Sequence, residues 1–462
     1  MKITYYRIDI ATAVSDITSE IYDSMMQFKE QILAFKTKLL ASDVGNRIAT
    51  GAFWSFAGTA VAKFFVLVAS IICAHILTKQ EYGEFGMVRS TINMFVVFGT
   101  AGLGLTATKY ISEFRDNKKD RIASIYILTN GFAIVTGLIV TSLVLLFAPY
   151  LAKETLKVPE LEPSIRIGAI LLFVTIINGA QNGVLSGYER FKTIARNNLI
   201  GSVVESICML VGAYYWRVFG AVLGYGISFV IIYIVNYYSI RRLFKEDKIQ
   251  VALSKFNKED FRLLYKFSLP AALCSILVTP TIWGVKTILT NKSGFEELAV
   301  FEVGDQWRTI ILFIPTAVSQ VVLPVLSSII SEESSKFWKV LKTNLYLNAG
   351  VALVMAIFIS LFSPVIMKLY GKAFISDYGV LIILAISTVF SSMANVVGLA
   401  ISSRSKMWTG FVFNTIWAIM LIVFTLIFIN MGLGAKGLAL SFTLSYVVHT
   451  ALQLLYLRHI SR

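Results

Sequence analysis

LYKFSLPAALCSILVTPTIWGVKTILTNKSGFEELAVFEVGDQWRTIILFIPTAVSQVVLPVLSSIISEE, residues 264–333, decides the fold. It reads as two long apolar helices joined by a short polar link. Four prolines interrupt them: Pro270, Pro280, Pro315 and Pro324. Lys286, Asp305, Gln306 and Arg308, with Thr281, sit where lipid would forbid polar groups. A helix that is apolar, interrupted and charged at once lines something wet instead of facing hydrocarbon all round.

The whole chain of 462 residues repeats that character. It is 56% hydrophobic and 15% charged, against about a quarter charged in soluble domains. Apolar runs long enough to span a bilayer recur, so the chain is an all-α polytopic membrane protein. Twelve segments are expected, at 49–77, 83–108, 123–148, 165–188, 195–216, 219–240, 267–290, 300–331, 344–368, 378–402, 408–430 and 434–457.

Before them, Ile17, Ile21, Met25, Phe28, Ile32, Phe35 and Leu39 recur at helical spacing, with Lys29, Lys36 and Lys38 on other faces. Residues 1–46 therefore read as a cytoplasmic segment with an amphipathic helix on the membrane surface. A loosely ordered extension, or a start at Met25 or Met26, is the alternative. No signal peptide is read at the N-terminus.

The net charge of +15 invites a nucleic-acid reading, which the placement of the charges removes. With both termini inside, 29 of the 42 Lys and Arg fall in cytoplasmic loops or tails, eight of them in the link 241–266. That is the bias membrane insertion selects. Cys73, Cys208 and Cys274 lie apart in apolar segments, with no metal or disulfide spacing. There is no nucleotide loop, His/Glu metal pair or nucleophile elbow, so neither a cofactor nor an enzyme is expected.

The link at 241–266 divides the chain into bundles at 47–240 and 267–462. Arg89 with Ser112-Glu113 matches Arg308 with Ser331-Glu332. Leu146-Phe147-Ala148-Pro149 matches Leu361-Phe362-Ser363-Pro364. Arg190-Phe191-Lys192 matches Arg404-Ser405-Lys406, and Gly220-Ala221 matches Gly434-Ala435. The offsets are all roughly 213 to 219 residues. Both halves begin and end inside, which makes a parallel repeat of two six-helix bundles around a central cavity.

Lys63, Arg89, Lys286 and Arg308 are candidates for a cationic lining that holds an anionic substrate, with Gln306, Trp283 and Trp307 beside them. For Arg89 and Arg308, reach to the outer headgroups is the competing reading. Glu205 and Asp305 are candidate ion-coupling acids. Glu205 has two further readings, a partner for Lys63 or a proton carrier, and Asp305 can pair with Arg308 on the helix face. His75 reads as an interface residue and His449 as a packing one. Gly99, Gly102 and Gly104 in the second segment stand where Pro315 and Pro324 stand in the eighth, as corresponding bending points.

The pieces FSLPAALCSILVTPTIWGV (267–285) and FEVGDQWRTIILFIPTAVSQVVLPVLSS (301–328) resemble O-antigen and polysaccharide-unit flippases of the multidrug/oligosaccharidyl-lipid/polysaccharide exporter superfamily. Gly51-Ala52-Phe53-Trp54 and Glu81-Tyr82-Gly83 also look like that group, and the likeness runs from about residue 42 to 462. It implies a protein of the bacterial inner membrane. The cargo would be a polyprenyl-pyrophosphate-linked oligosaccharide, moved to the outer leaflet by alternating access and coupled to protons or sodium. A cationic cavity suits a pyrophosphate. A multidrug-and-toxin extrusion antiporter of the same fold is the alternative; it would want acids in the cavity. A polymerase or ligase would need a large external loop, which is absent, and a scaffold or scramblase fits the paired helix breaks poorly.

Overall fold

In a computed structural model of the protein, the described residues are 43–100, 102–115, 119–252, 260–261, 276–329, 334–403 and 407–459. The expected surface helix at 17–39, Pro270, Cys274 and residues 253–259 and 262–266 of the link lie outside them.

Twelve α-helices carry the described residues. They are α1 (Asp43–Ile76), α2 (Lys79–Thr100), α3 (Leu103–Phe114), α4 (Lys119–Tyr150), α5 (Glu162–Gly187), α6 (Phe191–Glu246), α7 (Val278–Ser293), α8 (Phe295–Ile329), α9 (Ser334–Leu369), α10 (Tyr378–Ser403), α11 (Met407–Asn430) and α12 (Gly434–His459). Eight are long and apolar enough to cross a membrane, or nine if α2 and α3, bent by 43°, form one broken span. The protein is a multi-pass, all-helical membrane protein.

One expected segment differs from the sequence reading. The second expected segment is split, with Gly102 at φ 72 ahead of α3, a left-handed backbone that glycine adopts without penalty. Pro315 and Pro324, by contrast, sit inside the unbroken range of α8. The fifth and sixth expected segments, 195–216 and 219–240, are the two limbs of α6, which folds back at Trp216 and Arg217. The fold is a tight antiparallel hairpin: a Cβ on Gly212 would collide with the Gly220 carbonyl, and one on Gly224 with the Cys208 carbonyl. Asn197 donates to Asn236 across the same pair of limbs at 2.9 Å. Arg217 holds φ 50, which strains a residue with a Cβ. Its guanidinium is fastened to the Glu81 carboxylate and, at 2.7 Å, to the Ile76 carbonyl.

The outer surface is apolar, as lipid requires: Phe64 on α1, Leu146 on α4, and Val354 and Leu361 on α9 are all exposed. Polar groups point inward and pair. Asn348 bonds Asn344 at 2.6 Å and accepts from Ser319 at 3.1 Å, all three buried. Helices α1 to α6 pack mainly on one another, as do α7 to α12. Across the divide, α2 is the chief contact, lying against α7 and α8.

Those cross-contacts gather toward one end of the molecule. There His75 bonds the Leu369 carbonyl at 2.7 Å, Lys79 meets Asp377 at 2.8 Å, and Asn291 donates to the Thr155 carbonyl at 2.9 Å. The rings of Tyr82 and Phe374 meet edge to face. Nearer the opposite end, the stack of Phe56 on Phe313, 4.7 Å between centroids, also bridges the two sets.

Candidate functional site

Arg89 lies on α2, ten residues in from Lys79, so about 15 Å along the helix axis. Lys286 lies on α7, two turns before the helix ends at Ser293. Glu302, Asp305 and Arg308 follow at three-residue intervals on α8, which places them on one face. The short turn at Gly294 folds α7 back along α8, and α2 closes the third side.

Five charges meet there. Lys286 Nζ is 2.7 Å from Glu302 Oε1 and 3.4 Å from Asp305 Oδ2. Arg89 reaches the other oxygen of Glu302 at 3.1 Å, and Arg308 Nε meets Asp305 Oδ1 at 2.7 Å. Three cations share two carboxylates, so the cluster is net positive. Glu302 at the centre has 5% of its side chain exposed, whereas Arg89 keeps 23%. Aromatic faces wall the group: Arg89 lies over Phe85, Lys286 over Phe301 and Arg308 over Phe442. Buried carboxylates satisfy cations that the low-dielectric interior would otherwise expel, and each partner is secured by the other's presence.

A neutral network adjoins it. Gln306 Oε1 accepts from Ser70 at 2.9 Å and Tyr370 at 3.2 Å, and Ser70 also bonds the Tyr82 hydroxyl. Trp283 donates to Thr91 across the two sets of helices at 2.9 Å. The Trp307 indole nitrogen is buried without a well-formed hydrogen bond, beside the Tyr370 hydroxyl.

The structure thus brings Arg89, Lys286, Asp305, Gln306, Arg308 and both tryptophans together. Arg89 and Arg308 are paired in the interior and do not reach for headgroups, and Asp305 does pair with Arg308. Lys63 stays apart: it is half-buried on α1 and makes no ion pair among the described residues, so it does not pair with Glu205. Glu205 lies on the first limb of α6 within electrostatic range of Arg89. Sequence reasoning missed Glu302, the acid that joins Arg89 to Lys286. Its signal was available: it sits one turn before Asp305, inside an apolar run.

Packed helices around a buried charge cluster, under an apolar coat, describe a membrane protein with the fold of exporter-type transporters. Comparison with solved structures agrees. A structure described as the inward-facing conformation of a multidrug resistance MATE family transporter of the MOP superfamily superposes with TM-score 0.75 at 16% identity. The match covers 88% of this chain and 98% of that one. A Pyrococcus furiosus MOP superfamily transporter, described by the reverse polarity of its binding pocket, matches with TM-score 0.68 at 17% identity, over 92% and 97% of the two chains. The chain belongs to the polysaccharide biosynthesis protein family, whose model matches residues 48–330. A curated relative, the EPS I polysaccharide export inner membrane protein EpsE of Ralstonia nicotianae, is 21% identical over 401 residues, covering 84% of this chain and 89% of its own.

Proposed function

We propose that this protein flips a polyprenyl-pyrophosphate-linked oligosaccharide from the cytoplasmic to the outer leaflet of the bacterial inner membrane, in the making of O-antigen or another surface polysaccharide. It is a transporter, not an enzyme, and works by alternating access between 47–240 and 267–462, two parallel-repeat bundles of six spans. Both termini are cytoplasmic, on the charge bias of the loops.

The observation that carries the reading is the pairing of Arg89 on one bundle with Glu302 on the other, which Lys286 shares. An arriving diphosphate competes with the two carboxylates for the three cations. Each phosphate–cation contact is a charge-assisted hydrogen bond. Replacing Glu302 as the partner of Arg89 loosens the seam between the bundles, which links loading of the cargo to rearrangement. The polyprenyl tail stays in lipid. Glu205 and Asp305 serve as the acids through which a proton or sodium ion couples. Lys63, outside the cluster, meets the cargo along the approach on α1.

The buried Glu302 and Asp305 favour a second reading, a multidrug-and-toxin extrusion type antiporter that binds organic cations. The experiment is complementation of a flippase-deficient strain. Lys286→Ala and Arg89→Ala abolish surface polysaccharide while membrane insertion stays normal, as does Lys63→Ala. Wild-type polysaccharide in both Lys286→Ala and Arg89→Ala cells refutes the mechanism. Export of an organic cation by the wild type, without rescue of polysaccharide, establishes the second reading.

A further inference from the structure

Away from the charge cluster, the opposite end of the molecule from Lys79 and Asp377 holds a cavity of about 680 Å³. It is built by the α5–α6 turn, the start of α1 and the loop-facing ends of α3, α4 and α6. Its wall carries four cations, Arg115, Lys119, Arg190 and Lys192, against Glu189 and Asp247. Arg115 pairs with Glu189 at 3.2 Å, and Lys119 with Asp247 at 3.6 Å. Arg190 reaches Glu246 at a loose 3.7 Å with half its side chain exposed. Lys192 has no carboxylate among the described residues and lies over the Trp54 ring, 5.0 Å from its centroid.

Two further observations point to a ligand. Tyr188 lines the cavity, and its hydroxyl is buried beside the Asp247 carboxylate without a well-formed hydrogen bond. Burial and the Asp247 carboxylate push its pKa above the ordinary phenol range, so it stays a donor. The turn that presents these groups also carries Glu189 at φ 56, a strained backbone for a residue with a Cβ. A buried phenol beside Asp247, a lysine held only by an aromatic face and a loosely paired arginine converge on one space. Phe53 and Trp54 beside it are exposed, as aromatic residues at a membrane interface usually are.

We propose that this cavity binds a phosphate-bearing anion at the cytoplasmic membrane surface, with Arg190, Lys192 and Tyr188 as its donors and Trp54 as its apolar floor. The side of the membrane rests on the orientation proposed above. The anion is the phosphodiester of an acidic lipid or a diphosphate. Cargo held here would sit at the inner leaflet before it reaches the buried cluster.

The test uses full-length, delipidated protein in detergent, with tryptophan fluorescence followed and Trp54→Phe as the control that assigns the signal. The probes are short-chain phosphatidylglycerol, phosphatidylcholine and inorganic pyrophosphate. Phosphatidylglycerol binds saturably and phosphatidylcholine does not. Each basic residue near an anionic surface is worth about fivefold, so Arg190→Gln/Lys192→Gln weakens binding about 25-fold. Both side chains are solvent-facing, so the fold is kept. Tyr188→Phe keeps the shape and weakens binding several-fold. Pyrophosphate that displaces phosphatidylglycerol makes the diphosphate sufficient; phosphatidylglycerol binding without pyrophosphate binding makes the lipid the ligand. Equal affinity of the double variant and the wild type for both anions overturns the site, as does equal binding of phosphatidylcholine. Labelling that finds residue 190 exposed outside the cell would instead defeat the orientation, with the titration untouched.

Discussion

Glu302→Gln removes one charge and almost no volume from the centre of the cluster. In the wild type its two oxygens meet Lys286 at 2.7 Å and Arg89 at 3.1 Å. The amide keeps one acceptor oxygen but turns a donor nitrogen toward the other cation, leaving three cations with the single carboxylate of Asp305. Breaking one member of a buried ion pair destabilises by about 3–5 kcal/mol. The retained amide oxygen sets the lower end, about 3 kcal/mol. Thermal unfolding of purified protein in detergent reads this as a lowered midpoint. The double variant Glu302→Gln/Lys286→Met removes the closest pair together and replaces the lysine with an apolar side chain of similar length. Removing both members of such a pair is near neutral, so its midpoint recovers while polysaccharide export is still lost. A Glu302→Gln protein as stable as the wild type, or a double variant less stable than the single one, would refute the view that mutual pairing holds these charges in the interior.

Three further outcomes follow from the same geometry. Lys79→Glu opposes Asp377 across the seam and weakens closure of that end by about 0.5–1 kcal/mol. On the proposed orientation, a cysteine placed at Thr91 then labels faster from outside, and Lys79→Glu/Asp377→Lys restores the slow rate. Gly212→Val forces a side chain into the Gly220 carbonyl; overpacking of this kind destabilises by about 1–3 kcal/mol or more, and folded protein recovered from membranes falls accordingly. Arg217→Gly relieves the φ of 50 but releases Glu81 and the Ile76 carbonyl; the lost charge-assisted bonds outweigh the relief, so the thermal midpoint drops.

The helical, lipid-embedded nature of the chain was legible because hydrocarbon tolerates so few alternatives. Long apolar runs bounded by basic loops leave little else for the backbone to do. The folding back of α6 was anticipated only as a boundary near residue 216. What drives it, glycines at 212, 220 and 224 that let two limbs touch, is a tertiary contact without a local signature. Pro315 and Gly102 show the opposite case. Both read as bending points; the helix is interrupted at the glycine, whereas Pro315 stands within the helical range of α8. In the candidate site, the intramembrane positions of Arg89, Lys286 and Arg308 were readable from expense alone, since charges there require a partner. The identity of the partner was not. Arg89 and Glu302 are 213 residues apart, and only the packing of α2 on α8 makes them neighbours. Lys63 looked equivalent to Lys286 in one dimension, yet it makes no ion pair among the described residues, whereas Lys286 is held by two carboxylates.

The seam joined by His75, Lys79, Asn291 and Tyr82 also bears on pharmacology. On the proposed orientation these fastenings seal the periplasmic face, so a bulky hydrophilic inhibitor arriving from that compartment meets a shut door in this conformation. Useful antagonists of this form would be amphiphiles that partition into the inner leaflet, or wedges small enough to pry Asp377 from its lysine.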